Sequence, residues 1–248
     1  MTAAEKKDLV RFLDLSYASL RGGYHDGERE YNFVDDDAAP DYSGQRADLQ
    51  PAANDSLESI ADEIQACTAC PLCKTRTRAV PGEGAASPLV MIIGEGPGPD
   101  EDASGRPFAG IAGERLNKML APIGLSRDGN CFLTGVVKCR APGMREPLPE
   151  ETIACANFLQ RQILLVRPKI ILCAGRNAAH SLLRTAEEID ALRMKVSKIR
   201  IGDTVFPVTV TWHPNELWEN EALKRPAWED LKRLRAWLDA NAGQVRSE

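Results

Sequence analysis

The chain has 248 residues, a net charge of −5, 43% hydrophobic and 27% charged residues, the balance of a globular protein rather than a fibrous or disordered one. No apolar run approaches the roughly 18 residues of a membrane span, and the N-terminus, MTAAEKKDLVRFLDL, lacks the basic flank and unbroken apolar stretch of a signal peptide. A cytoplasmic protein with no membrane partner is expected. Residues 1–66 carry 6 Lys/Arg against 15 Asp/Glu, and the remainder 25 against 21. The acidic total therefore does not exclude a polyanionic partner for the C-terminal part.

Residues 1–20 read as an amphipathic helix, with Leu9, Phe12, Leu13, Leu15 and Leu20 partly on one face. Residues 21–53 are rich in acids, Gly and Pro without a period, and read as an acidic flexible linker. Such a helix on a linker suits docking to a protein partner, although a solvated tail is the preferred reading. The main domain is expected over residues 54–248. It opens with a helix near NDSLESIADEIQ, capped by Asp55 or Ser56. Buried strands are expected at 89–94, 131–137, 169–175 and 205–212. Helices are expected at 112–122, 149–166, 175–185 and 221–241. Short apolar strands alternating with helices predict an α/β fold, a three-layer α/β/α sandwich around a mainly parallel four-stranded sheet. The segments GEGPG, TGVVKC and TWHPNEL then lie at strand carboxyl ends, where open α/β sheets bind ligands.

Gly94, Gly96 and Gly98 do not have the spacing of a dinucleotide or P-loop site. Asp100, Glu101 and Asp102 just beyond would repel a pyrophosphate. The turn suits close approach of backbone to a neutral ligand, with Phe108 placed to stack on it; a tight strand-to-helix turn is the equal alternative.

CTACPLC supplies Cys67, Cys70 and Cys73, and Cys139 and Cys155 follow. A C-x2-C pair with two distant thiolates is compatible with an iron–sulfur cluster or with zinc. Cys73 could substitute for a ligand, whereas Cys131 and Cys173, inside apolar strands, read as structural. Of the three histidines, His25 falls in the linker and His180 reads as a packing or surface residue. His213 stands apart, ending a strand before Pro214.

Together, CTAC, GEGPGPDEDASGRPFAGIAGERLNKML, FLTGVVKCRAPGMREPLPEE and HPNELWENEALKRPAWEDLKRL resemble the family 4 uracil-DNA glycosylases, over residues 67 to about 238. The resemblance implies a four-iron, four-sulfur (4Fe-4S) cluster held by Cys67, Cys70, Cys139 and Cys155. It implies a monomeric, monofunctional enzyme that removes a deaminated base flipped out of DNA, with a cluster-bearing, non-catalytic DNA-binding protein as the rival reading. Glu95, Gly96 and Phe108 would line the pocket, and His213 would face the base carbonyl. Asp102, Glu101 or Glu95 would stabilise the sugar cation or orient water. Leu217 would press into the DNA, and Lys138, Arg140, Arg145, Lys224 and Arg225 are candidates for phosphate contacts. Gly135 stands where the family typically has an Asn whose amide reads the uracil edge. Three consequences stay open: a slower uracil enzyme, admission of a larger deaminated base, or DNA binding without cleavage.

Overall fold

The computed structural model describes residues 55–242. The expected helix at 1–20 and linker at 21–53 lie outside the described residues. Helix α1 (Leu57–Ala66) starts at Ser56, whose hydroxyl accepts the Ser59 N–H while Ser59 returns the bond. Arg161 then ties this helix to the body, donating to Asp55 and Glu63.

The sheet is built from β1 (Glu83–Gly84), β2 (Val90–Gly94), β3 (Cys131–Gly135), β4 (Ile170–Ala174), β5 (Ser197–Ile201) and β6 (Thr204–Thr211), in the order β1-β3-β2-β4-β6-β5. The four central strands are parallel, and β1 and β5 pair antiparallel at the two edges. The expected four-stranded sheet is therefore the centre of a six-stranded one. β5 forms a hairpin with β6 across Gly202, whose φ of 56° is a turn conformation suited to glycine.

Along each central strand, side chains alternate between two cores. Met91, Ile93, Ile171 and Cys173 pack with α4 (Pro149–Val166), α5 (Arg176–Leu183) and α6 (Ile189–Leu192). Val90, Ile92, Ile170 and Leu172 pack with α3 (Gly110–Leu120) and α8 (Lys224–Ala240). Helices on both faces explain why the strands are apolar throughout rather than alternating. Cys131 and Cys173 are wholly buried in these cores, as expected for structural thiols. Two further short helices are α2 (Pro99–Ser104) after β2 and α7 (Glu216–Glu219) after β6. No described helix is long and apolar enough to cross a membrane.

The chain moves from β2 outward to β3, then returns past β2 to β4. That reversal opens a crevice beyond the carboxyl ends of β2 and β4.

Candidate active site

A cavity of about 370 Å³ fills this crevice. Its walls come from four strand ends: Glu95 and Gly96 after β2, Gly135 ending β3, Arg176 and Asn177 after β4, and His213 after β6. Phe108, from the loop between α2 and α3, lines it as well. Glu95, Gly96, Phe108, Gly135 and His213, all singled out from sequence, thus converge on one site. Arg176, Asn177, Asn215 and Glu216 were not singled out.

Glycine allows the walls to close. A β-carbon at Gly96 would lie 2.6 Å from the Val137 side chain, and one at Gly94 would lie 2.8 Å from the Phe108 ring. Phe108 itself has a φ of 48°, a strained value for a bulky residue. Arg127 holds it there, donating to the carbonyls of Pro107 (2.7 Å) and Phe108 (3.2 Å) and pairing with Glu83 at 3.0 Å. The Phe108 and His213 rings are nearly parallel, 23° apart, with centroids at 6.0 Å.

His213 Nδ1 accepts the backbone N–H of Asn215 at 3.2 Å. An accepting Nδ1 leaves the proton of a neutral imidazole on Nε2, so the ring is a donor at its other end. Burial pushes its pKa down to about 4, keeping it neutral at ordinary pH. Glu216 accepts the His213 N–H at 2.8 Å and fixes the start of the loop.

Glu95 is half-buried, and burial raises its pKa; a hydrogen bond from Asn177 works against that shift, while Glu146 and Glu216 add to it. A β-carbon at Gly175 would lie 3.2 Å from His213 Cβ and 3.5 Å from Glu95 Oε1. Glu95 and His213 therefore flank the same glycine.

The other expected site residues divide between the lining of the cavity and places away from it. Asp102 is buried outside the cavity, its Oδ1 accepting the N–H groups of Thr77 (2.8 Å) and Arg78 (3.4 Å). Glu101 lines the cavity, but its carboxylate accepts from Gly98 N–H (3.0 Å) and Ala109 N–H (2.8 Å). These acids occupy the first turn of α2, where the helix dipole favours negative charge. Lys138 is fully buried rather than phosphate-facing, and burial lowers its pKa to about 8. Leu217 is 7% exposed and packs in the core, whereas Trp218 beside it is 59% exposed with Arg115 4.6 Å over its ring. Arg140 is half-buried, and its buried Nε has no hydrogen-bond partner among the described residues. Arg145 lines the cavity but is held by Glu151 in a two-bond pair. Lys224 pairs with Glu221 at 3.1 Å, and Arg225 is exposed at the start of α8. His180 bonds the Glu187 carbonyl at 2.8 Å and lies outside the cavity lining.

Gly135 has no spare space beside it. A β-carbon there would lie 2.8 Å from the Val137 carbonyl oxygen and 3.3 Å from that of Glu95. The ends of β2 and β3 close tightly at this point, with Val136 N–H bonded to Gly94 O (2.9 Å) and Val137 N–H to Glu95 O (3.1 Å).

Next to the cavity, Cys67, Cys70, Cys73, Cys139 and Cys155 surround a small space of about 20 Å³. None of the seven cysteines is in a disulfide. Burial pushes Cys155 up to about 11 and raises Cys139 too, so a bound metal is what would hold them as thiolates at neutral pH. Arg76 donates to Cys139 Sγ at 3.0 Å, and Lys138 borders the same space. Among the described residues no three His, Cys, Asp or Glu side chains form a ligand set for a single ion. The donors are all sulfur with two cations beside them, which suits an anionic, thiolate-held centre.

The profile of the Uracil DNA glycosylase superfamily matches residues 81–232. The chain is 38% identical over 191 residues to the Type-4 uracil-DNA glycosylase of Saccharolobus solfataricus, covering 75% of this chain and 88% of that protein. Identity is 40% over 186 residues to the Type-4 uracil-DNA glycosylase of Sulfurisphaera tokodaii, covering 73% of this chain and 84% of that protein. The corresponding protein of Archaeoglobus fulgidus is 37% identical over 184 residues, with 73% and 92% covered. With the match extending over the sheet and the crevice that carries Glu95 and His213, the chain belongs to the uracil-DNA glycosylase superfamily.

Proposed function

We propose that this chain is a monofunctional uracil-DNA glycosylase that hydrolyses the N-glycosidic bond of uracil flipped out of DNA. The observation that carries the reading is the pairing of a neutral, Nε2-protonated His213 with a half-buried Glu95 in one crevice. A base inside a duplex cannot be reached, so it must enter the pocket, where Phe108 offers a face for stacking. As the glycosidic bond breaks, its electron pair leaves with the base and negative charge grows on the uracil carbonyl oxygen. A fixed N–H at His213 favours that charge in the transition state more than in the ground state. Glu95 sits on the sugar side, where its carboxylate stabilises the developing cation and takes the proton of the attacking water. The water oxygen bonds the sugar carbon, leaving an abasic site. Among the described residues the pocket lining includes Arg176 and no lysine, which supports hydrolysis without strand-cleaving lyase chemistry.

Cys67, Cys70, Cys139 and Cys155 would hold the 4Fe-4S cluster, which when bound would cross-link the segments beside the pocket. Toward DNA, Arg140 and Arg225 are the phosphate candidates, and exposed Trp218 replaces Leu217 as the residue facing the duplex. Gly135 brings only backbone to the base edge. That favours a second reading, DNA binding without cleavage.

A uracil-containing oligonucleotide separates the two. The glycosylase reading expects free uracil and a strand that breaks only after alkali. Binding with no uracil released supports the second reading instead.

A further inference from the structure

Lys138 is a buried cation that the proposed chemistry does not use. Its side chain runs inward from the turn after β3, and its exposure is only 1%. Nζ donates to Thr134 Oγ1, to the Gly135 carbonyl (2.8 Å) and to Gln162 Oε1 (2.8 Å). Thr134 and Gly135 both line the base pocket. Thr134 and Gln162 are themselves anchored on the Pro81 carbonyl, at 3.0 and 2.7 Å. These oxygens are neutral, and an ammonium ion buried among neutral oxygens is costly without a counter-charge. The counter-charge nearest in kind lies on the other side: Lys138 borders the five-cysteine space, and its backbone bonds Cys155. One residue thus touches the wall of the base pocket and the cysteine centre together.

We propose that Lys138 is a positioning residue that uses the negative charge of the cysteine centre to hold the Thr134–Gly135 wall of the base pocket in place. The inference rests on the reading of the cysteines as cluster ligands and of the crevice as a uracil site. A four-thiolate centre carries negative charge that its iron cancels only in part, so the loaded centre stabilises the ammonium. The ammonium in turn fixes the Gly135 carbonyl, at a position with no side chain to do so.

The test compares the iron-loaded full chain with Lys138→Met, close in length but uncharged, and Lys138→Gln, which keeps a donor without the charge. Affinity is read on an oligonucleotide carrying a non-hydrolysable uracil nucleotide, and on the same oligonucleotide with thymine. The expected result is iron content equal to wild type and a cluster reduction potential shifted to more negative values in both variants. Affinity for the uracil analogue falls at least about fivefold while binding to the thymine control stays level. Lys138→Gln keeps part of the selectivity through its donor. Potential and selectivity both unchanged in either iron-loaded variant would overturn the proposal. Should Lys138→Met fail to fold, Lys138→Gln decides by the same two readouts. A wild-type protein that binds no iron defeats the cofactor reading, and one that binds iron but does not distinguish uracil from thymine defeats the glycosylase reading. Either outcome removes the basis of the proposal and is recognised before any variant is compared.

Discussion

Replacing Gly135 by Asn adds an amide at the wall of the cavity, and simple reasoning expects a faster enzyme. The structure predicts the reverse. The new β-carbon would sit 2.8 Å from the Val137 carbonyl oxygen, 3.3 Å from the Glu95 carbonyl and 3.4 Å from Gly96 Cα. All three are backbone atoms, so no rotamer change relieves the contact. Relief requires the β2 and β3 ends to part, straining the Val136–Gly94 and Val137–Glu95 hydrogen bonds. Such overpacking costs about 1–3 kcal/mol, which in a domain of this size lowers Tm by very roughly 2–12 °C. Glu95 and Gly96 ride on the displaced segment, and a shift of catalytic groups by about 1 Å costs up to ~100-fold in rate. Thermal unfolding with single-turnover excision of uracil checks both parts. Gly135→Ala should show the same stability loss, since the β-carbon is the cause. A Gly135→Asn protein as stable as wild type and faster on uracil would refute the argument and return the position to a simple role in specificity.

The pH dependence of excision should show one acid limb, with a midpoint above the ordinary carboxylate value of 4.5 because burial raises Glu95, and Glu95→Gln should remove it. His213, held near 4 rather than 6.5, gives no limb between about pH 5 and 9. Because the unfolded chain takes up that proton first, the stability contributed by neutral His213 is present above about pH 6.5 and lost as pH falls toward 4; urea melts of wild type and His213→Phe across that range should converge. Asp102→Ala leaves the Thr77 and Arg78 N–H groups without the acceptor that buried Asp102 supplies and should cost about 1–3 kcal/mol in denaturant melts, with excision at low temperature within roughly threefold of wild type. Cys155→Ser, or removal of iron by a chelator, should abolish visible absorption and lower Tm, since bound metal stabilises the folded chain by linkage. Iron content and thermal melts measure both.

The parallel centre of the sheet was legible because β2, β3, β4 and β6 are short, apolar and separated by helical segments. β5 escaped because SKIRI exposes alternate residues at an edge, and two-residue β1 has no periodicity to find. At the cavity, Glu95, Gly135 and His213 were legible as lining residues from their places at strand ends, and Phe108 from the motif that follows the glycine turn. Side-chain direction was not. Asp102 faces inward from a helical turn whose phase no motif announces, and Lys138 turns into the core where a charged residue near a DNA site suggests a phosphate contact. Leu217 and Trp218 are neighbours on α7, where one residue's step is enough to exchange core for solvent. Asn177 could have been found: it follows β4 at the same rim as the other walls, and only the absence of a motif hid it.

The most direct test of the account is the single-turnover rate of uracil release by wild type, Glu95→Gln and His213→Phe under one set of conditions. The predicted result is excision by wild type, a loss of about 10²–10³-fold when the His213 donor is removed, and a comparable or larger loss for Glu95→Gln, with DNA binding retained in both. Release of uracil at the wild-type rate by His213→Phe would contradict the claim that a neutral imidazole at the end of β6 stabilises the departing base.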